Sequence, residues 1–63
     1  MLSENVKKYR KLKGWSQQKL ADKAKISYNA LTKLEQGKAK HPTIQTVVKI
    51  ANALGVSVDE LVK

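Results

Sequence analysis

Asn29 and Lys33 stand four residues apart, with Ser27, Tyr28, Thr32 and Gln36 close beside them. All six are hydrogen-bonding types. Asn can pair bidentately with the N6/N7 edge of adenine, and Lys can donate to O6/N7 of guanine. The same residues on an ordinary helix are plain solvated surface. What separates the two readings is whether the helix is held out from its domain. No comparable set exists for catalysis. There is no Ser/His/Asp constellation, no carboxylate dyad and no phosphate-cradling glycine loop, and the chain has too little volume for a substrate cleft. No catalytic residue and no enzyme activity are expected. His41 has no second His, any Cys or a carboxylate cluster to make a metal site, and nothing points to a cofactor or a small-molecule ligand.

The elements that would hold such a helix can be read from the segment Gln17 to Gln36, QQKLADKAKISYNALTKLEQ. Leu20, Ala21 and Ala24 share one face of a short helix. A break follows at Lys25-Ile26-Ser27, and then Leu31 and Leu34 share one face of a second helix. Two helices this short, joined by about three residues, bury one small core only by crossing steeply. Ala21 and Ala24 allow the axes to approach closely. The spacing therefore predicts a helix-turn-helix with its second helix proud of the body. At about 100° per residue, the inward Leu31 and Leu34 leave Tyr28, Asn29, Thr32, Lys33 and Gln36 outward.

Five helices and no strands are predicted, an all-α class. Helix 1 covers roughly Ser3–Lys13, capped by Ser3 and ended by Gly14 as a left-handed residue. Helix 2 opens at Ser16 and ends near Ala24, and helix 3 opens at Ser27 and ends before Gly37. A basic loop from Gly37 to Pro42 follows. Helix 4 covers Thr43 to Leu54, with Gly55 as terminator. Ser57 and Glu60 have the spacing of a capping box that opens a last short helix. The expected core is Val6, Tyr9, Trp15, Leu20, Ala21, Ala24, Ile26, Leu31, Leu34, Ile44, Val47, Ile50, Ala51, Leu54, Val56 and Leu61, with Trp15 as its central plug.

The 63 residues fit one domain, 1–63, near the lower limit of chains that fold unaided. Hydrophobic residues make up 41%, and Gly and Pro total four, a profile that is globular and helix-rich. Net charge is +8 and unevenly placed. Residues 1–41 hold eleven Lys or Arg against three acids, whereas in 42–63 Lys49 and Lys63 balance Asp59 and Glu60. Concentrated excess favours a polyanion-facing side, although charge alone does not separate DNA from RNA or an anionic membrane. The absence of cysteine suits a reducing cytosol. The early polar residues Ser3, Glu4 and Asn5 leave no signal peptide, and no apolar run could span a bilayer, so a cytoplasmic location without membrane contact is expected.

Taken together, Arg10, Gly14-Trp15-Ser16-Gln17, Leu20-Ala21, Ile26-Ser27, Leu31, Leu34-Glu35-Gln36-Gly37, Pro42 and Ile50-Ala51-Asn52-Ala53-Leu54-Gly55-Val56-Ser57 carry a resemblance. The chain resembles the repressor/Cro helix-turn-helix domains of phage and bacterial regulators over nearly its whole length. That resemblance implies a five-helix repressor-like fold with the motif at helices 2 and 3. It implies base contacts from Ser27, Tyr28, Asn29 and Lys33. Phosphate contacts would come from Arg10, Ser16, Gln17, Thr32, Lys38, Lys40 and His41. It further implies a structural ion pair between Arg10 and Glu35. One departure is visible: Lys25 occupies a turn position where the family usually has Gly, so it should bear a positive φ.

Two functional classes follow. The first is a transcriptional regulator specific for double-stranded DNA, a repressor that docks as a homodimer on a two-fold operator. The second is a protein-interaction module of the same fold, such as an antitoxin. The coincidence of the basic excess with the motif, and the polar outer face of helix 3, favour the first. A dimer would form through the charge-neutral region, using Val58, Leu61 and Val62 with the loop before helix 4.

Overall fold

The computed structural model describes residues 2–38 and 42–63, and the helices run α1 Leu2–Leu12, α2 Gln17–Ala24, α3 Tyr28–Glu35, α4 Ile44–Leu54 and α5 Val58–Val62. The fold is all-α. Four of the five helices begin on a hydroxyl residue in extended backbone that accepts a hydrogen bond three residues on. Ser16 accepts from the Lys19 amide, Ser27 from Ala30, Thr43 from Thr46 and Ser57 from Glu60. Each side chain satisfies an amide that the helix itself leaves without an acceptor. The start of α1 differs from the expectation. It begins at Leu2, so Ser3 lies inside the first turn and is not its cap.

The first four helices end alike. At Gly14, Lys25, Gly37 and Gly55 the backbone turns left-handed, with φ of 72°, 58°, 76° and 72°. At each, the amide of that residue bonds the carbonyl three residues back, and the next amide bonds five residues back. These paired bonds satisfy carbonyls that the helix end would leave open. Three of the positions are glycine, which takes this conformation without a steric cost. Lys25 takes it too, as the departure from the family pattern requires, because the turn into α3 needs the same geometry.

The core is built from Val6, Leu20, Ala21, Ala24, Leu31, Leu34, Val47, Ile50, Ala51, Leu54 and Leu61, all buried. Ala21 and Ala24 face it from α2, and α2 packs against both α3 and α4. Two expected members differ. Ile44 shares the spacing of the α4 stripe but is 66% exposed, since it sits in the first turn, where no other helix covers it. Trp15 is only half-buried against the core. It lies in the α1–α2 connection, where the Lys13 Nζ stacks 5.2 Å from its ring, so it seals a corner and is not the central plug. Tyr9, Ile26 and Val56 are likewise half-buried against the core.

α5 is tied down from α1. The Asn5 Nδ2 donates to the Leu61 carbonyl at 2.8 Å and to the Lys63 carbonyl at 3.3 Å, covering the C-terminal end of this five-residue helix. Burial, and then the Glu60 carboxylate, raise the Tyr9 hydroxyl above its ordinary pKa. Leu61 is fully buried by this packing and cannot serve the dimer face expected of it, whereas Val62 remains 53% exposed. Part of the loop before α4 falls outside the described residues. Among the described residues, no helix is long and apolar enough to cross a membrane.

Replacing Lys25 by Gly relieves a left-handed Cβ penalty but adds unfolded-state freedom. The strain term is the larger, so Lys25→Gly should stabilise by roughly 0.5–1 kcal/mol and raise Tm by a few degrees in thermal unfolding. A lowered Tm would show that the turn holds no strain.

Candidate nucleic-acid interface

Glu35 is the last residue of α3 and is 2% exposed, the one buried charged side chain among the described residues. A carboxylate taken out of water needs partners for its charge and its lone pairs. Arg10 from α1 supplies two: its Nε donates to Oε2 at 2.7 Å and its Nη2 to Oε1 at 3.0 Å. Gln17, the first residue of α2, supplies a third, its Nε2 donating to Oε1 at 3.0 Å. The remaining arm of the guanidinium, Nη1, donates to the Trp15 carbonyl at 2.9 Å. One acid thus fastens together α1, the corner before α2, the start of α2 and the end of α3.

That cluster reaches the outer face. The Tyr28 hydroxyl donates to the Gln17 Oε1 at 3.4 Å, a long bond that links the start of α3 to the start of α2. Beside Tyr28, which is 46% exposed, lie Ser27, Asn29, Lys33 and Gln36, all exposed, while Leu31 and Leu34 are buried behind them. All four residues expected at base edges are exposed, Ser27 as the cap of α3 and Tyr28, Asn29 and Lys33 along it. Thr32 is half-buried, and its Oγ1 donates to the Asn29 carbonyl.

The expected phosphate group is divided. Ser16 and Gln17 stand at the N-terminus of α2, whose first amides lack intrahelical acceptors and favour an anion. The Gln17 side chain, however, is turned inward to Glu35, so any grip by Gln17 falls to its backbone N–H. Arg10 is corrected more strongly. Its side chain is 11% exposed and all three of its nitrogens donate inside the domain, so the structure places it in the ion pair and not on the surface expected of a phosphate contact. Lys38 is exposed just after the left-handed turn that closes α3. Lys40 and His41 lie outside the described residues. Sequence reasoning placed Gln17 on the surface alone. Its inward role needed the tertiary position of Glu35, which helical spacing does not give.

A family model described as helix-turn-helix matches residues 6–61. The chain belongs to the helix-turn-helix family. It is 46% identical over its whole length to the SPbeta prophage-derived HTH-type transcriptional regulator YonR of Bacillus subtilis, covering 57% of that protein. It is 38% identical to the HTH-type transcriptional regulator SinR of Bacillus subtilis over 97% of this chain and 55% of SinR. Identity is also 38% to the cryptic phage CTXphi transcriptional repressor RstR of Vibrio cholerae, over 95% of this chain and 53% of RstR. The helix-turn-helix chain thus spans about half the length of the curated relatives it matches. A crystal structure of SinR, the master regulator for biofilm formation, in complex with DNA superposes with a TM-score of 0.95 at 36% identity, each chain fully covered.

Removing one partner of the buried pair strands the other without compensation, at a cost of about 3–5 kcal/mol. Arg10→Met and Glu35→Gln, followed by denaturant unfolding, should each destabilise strongly, and the double variant should lose less than their sum by at least about 1 kcal/mol. Additive losses would mean that the pair contributes no coupling between α1 and α3.

Proposed function

We propose that this chain is the DNA-binding domain of a transcriptional regulator, a repressor that acts in the cytoplasm and places α3 in the major groove of double-stranded DNA. The observation that carries the reading is the exposed polar side of α3, held at a fixed angle by the buried Glu35 cluster. The +8 excess in residues 1–41 and the likeness to SinR, whose crystal structure is a complex with DNA, support it. Ser27, Tyr28, Asn29 and Lys33 meet base edges. Ser16, the Gln17 amide, Thr32, Lys38, Lys40 and His41 meet phosphates. Two copies bind a two-fold operator with half-sites about 34 Å apart, as helix-turn-helix dimers require. Contact between copies draws on the charge-balanced residues 42–63, where repulsion between two +8 chains is least.

Reading and gripping separate experimentally. Asn29→Ala or Lys33→Ala should cost about 1–3 kcal/mol on a selected operator and relax preference at one or two base pairs. Lys38→Ala should weaken operator and random DNA alike and reduce the salt slope by about one. The readout is the ratio of operator to random-duplex affinity at one fixed salt. If Lys38→Ala collapses that ratio while the two α3 variants leave it intact, α3 is not the reader.

A further inference from the structure

A second basic feature lies at the other end of α2 from Ser16. An open groove of about 420 Å³ runs between the C-terminal end of α2 and the C-terminal half of α4, lined by Lys23, Ala24, Lys25, Lys49, Asn52 and Ala53. No acid and no residue of α3 lines it. Lys23, Lys25 and Lys49 make no ion pair among the described residues. The nearest acid in sequence, Asp22, accepts from the Gln18 side chain along α2.

The end of α2 explains only part of this charge. Lys23 and Lys25 suit the negative end of a helix dipole. Lys49 does not, since it projects from the middle of α4, where no helix terminus attracts it. Three lysines without an ion-pair partner among the described residues therefore line a groove whose floor includes Ala24 and Ala53. Lysine stems add further apolar surface around that floor. A duplex backbone offers charge but little aliphatic surface to cover such a floor, whereas a peptide carrying both carboxylates and aliphatic side chains offers both. Along α2 the groove begins at Lys23, six residues and about 9 Å from Gln17.

We propose that this groove docks an acidic, aliphatic segment of a partner protein while α3 remains available. The proposal stands apart from DNA binding and is tested without it. The probe is the peptide acetyl-Glu-Glu-Leu-Glu-Glu-Leu-amide, titrated into the labelled chain and followed by amide chemical shifts. Perturbations are expected at Lys23, Ala24, Lys25, Lys49, Asn52 and Ala53, and they should persist when a random-sequence duplex is bound. Replacing both leucines of the probe by glycine should weaken binding at least roughly fourfold, the worth of one buried methylene. The exposed double variant Lys23→Gln/Lys49→Gln should abolish the perturbations while duplex affinity stays within about twofold. Perturbations centred on α3, displacement by the duplex, equal affinity for both peptides, or no perturbation at millimolar peptide would each overturn the proposal. So would a double variant that lowers duplex affinity and its salt slope, since the groove would then belong to the DNA track.

Discussion

The buried carboxylate of Glu35 is the constraint on which the rest depends. Burying an acid is costly unless its charge and its acceptor sites are all met. Here Arg10 and Gln17 meet them from two other helices. Each partner can do so only if α1, α2 and α3 hold one relative arrangement. A purely apolar contact of the same size would tolerate sliding or rotation, because dispersion is not directional. The bidentate fork of Arg10 is directional and leaves α3 little freedom to roll. The angle at which Asn29 and Lys33 face outward thus follows from a hydrogen-bond requirement in the interior.

Local backbone chemistry supports the same end. Repeated left-handed closures make the connections short, and short connections prevent α2 and α3 from drifting apart. Lys25 marks the point where this requirement overrides residue preference. Its side chain lines a basic groove on one side of the molecule while its backbone takes the conformation that glycine supplies elsewhere.

Much of this was legible in the sequence because caps and terminators are local signals. Ser16, Ser27, Thr43 and Ser57 mark helix starts through bonds made within three residues, and Gly14, Gly37 and Gly55 mark ends in the same way. The inward stripes of α2 and α3 follow from spacing alone. What spacing cannot supply is the reach of a neighbouring element. Ile44 fits the α4 stripe yet is exposed, because a stripe is buried only as far as its partner extends. Trp15 has the size of a central plug but lies in a connection, and connections run over the surface. The Gln17 amide and the Asn5 amide look like ordinary surface groups, and both are committed to partners more than fifteen residues away.

If the Glu35 cluster presets α3, the helix meets the major groove without rearranging. The most direct measurement is an NMR structure of the chain with a selected duplex, compared with the free chain. Intermolecular contacts are expected from Asn29 and Lys33 to cytosine H5 and thymine methyl protons, which lie in the major groove. The Arg10–Glu35 bonds should be unchanged between the free and bound chains. Contacts confined to the minor groove, or a rotation of α3 with loss of those bonds, would contradict this reading.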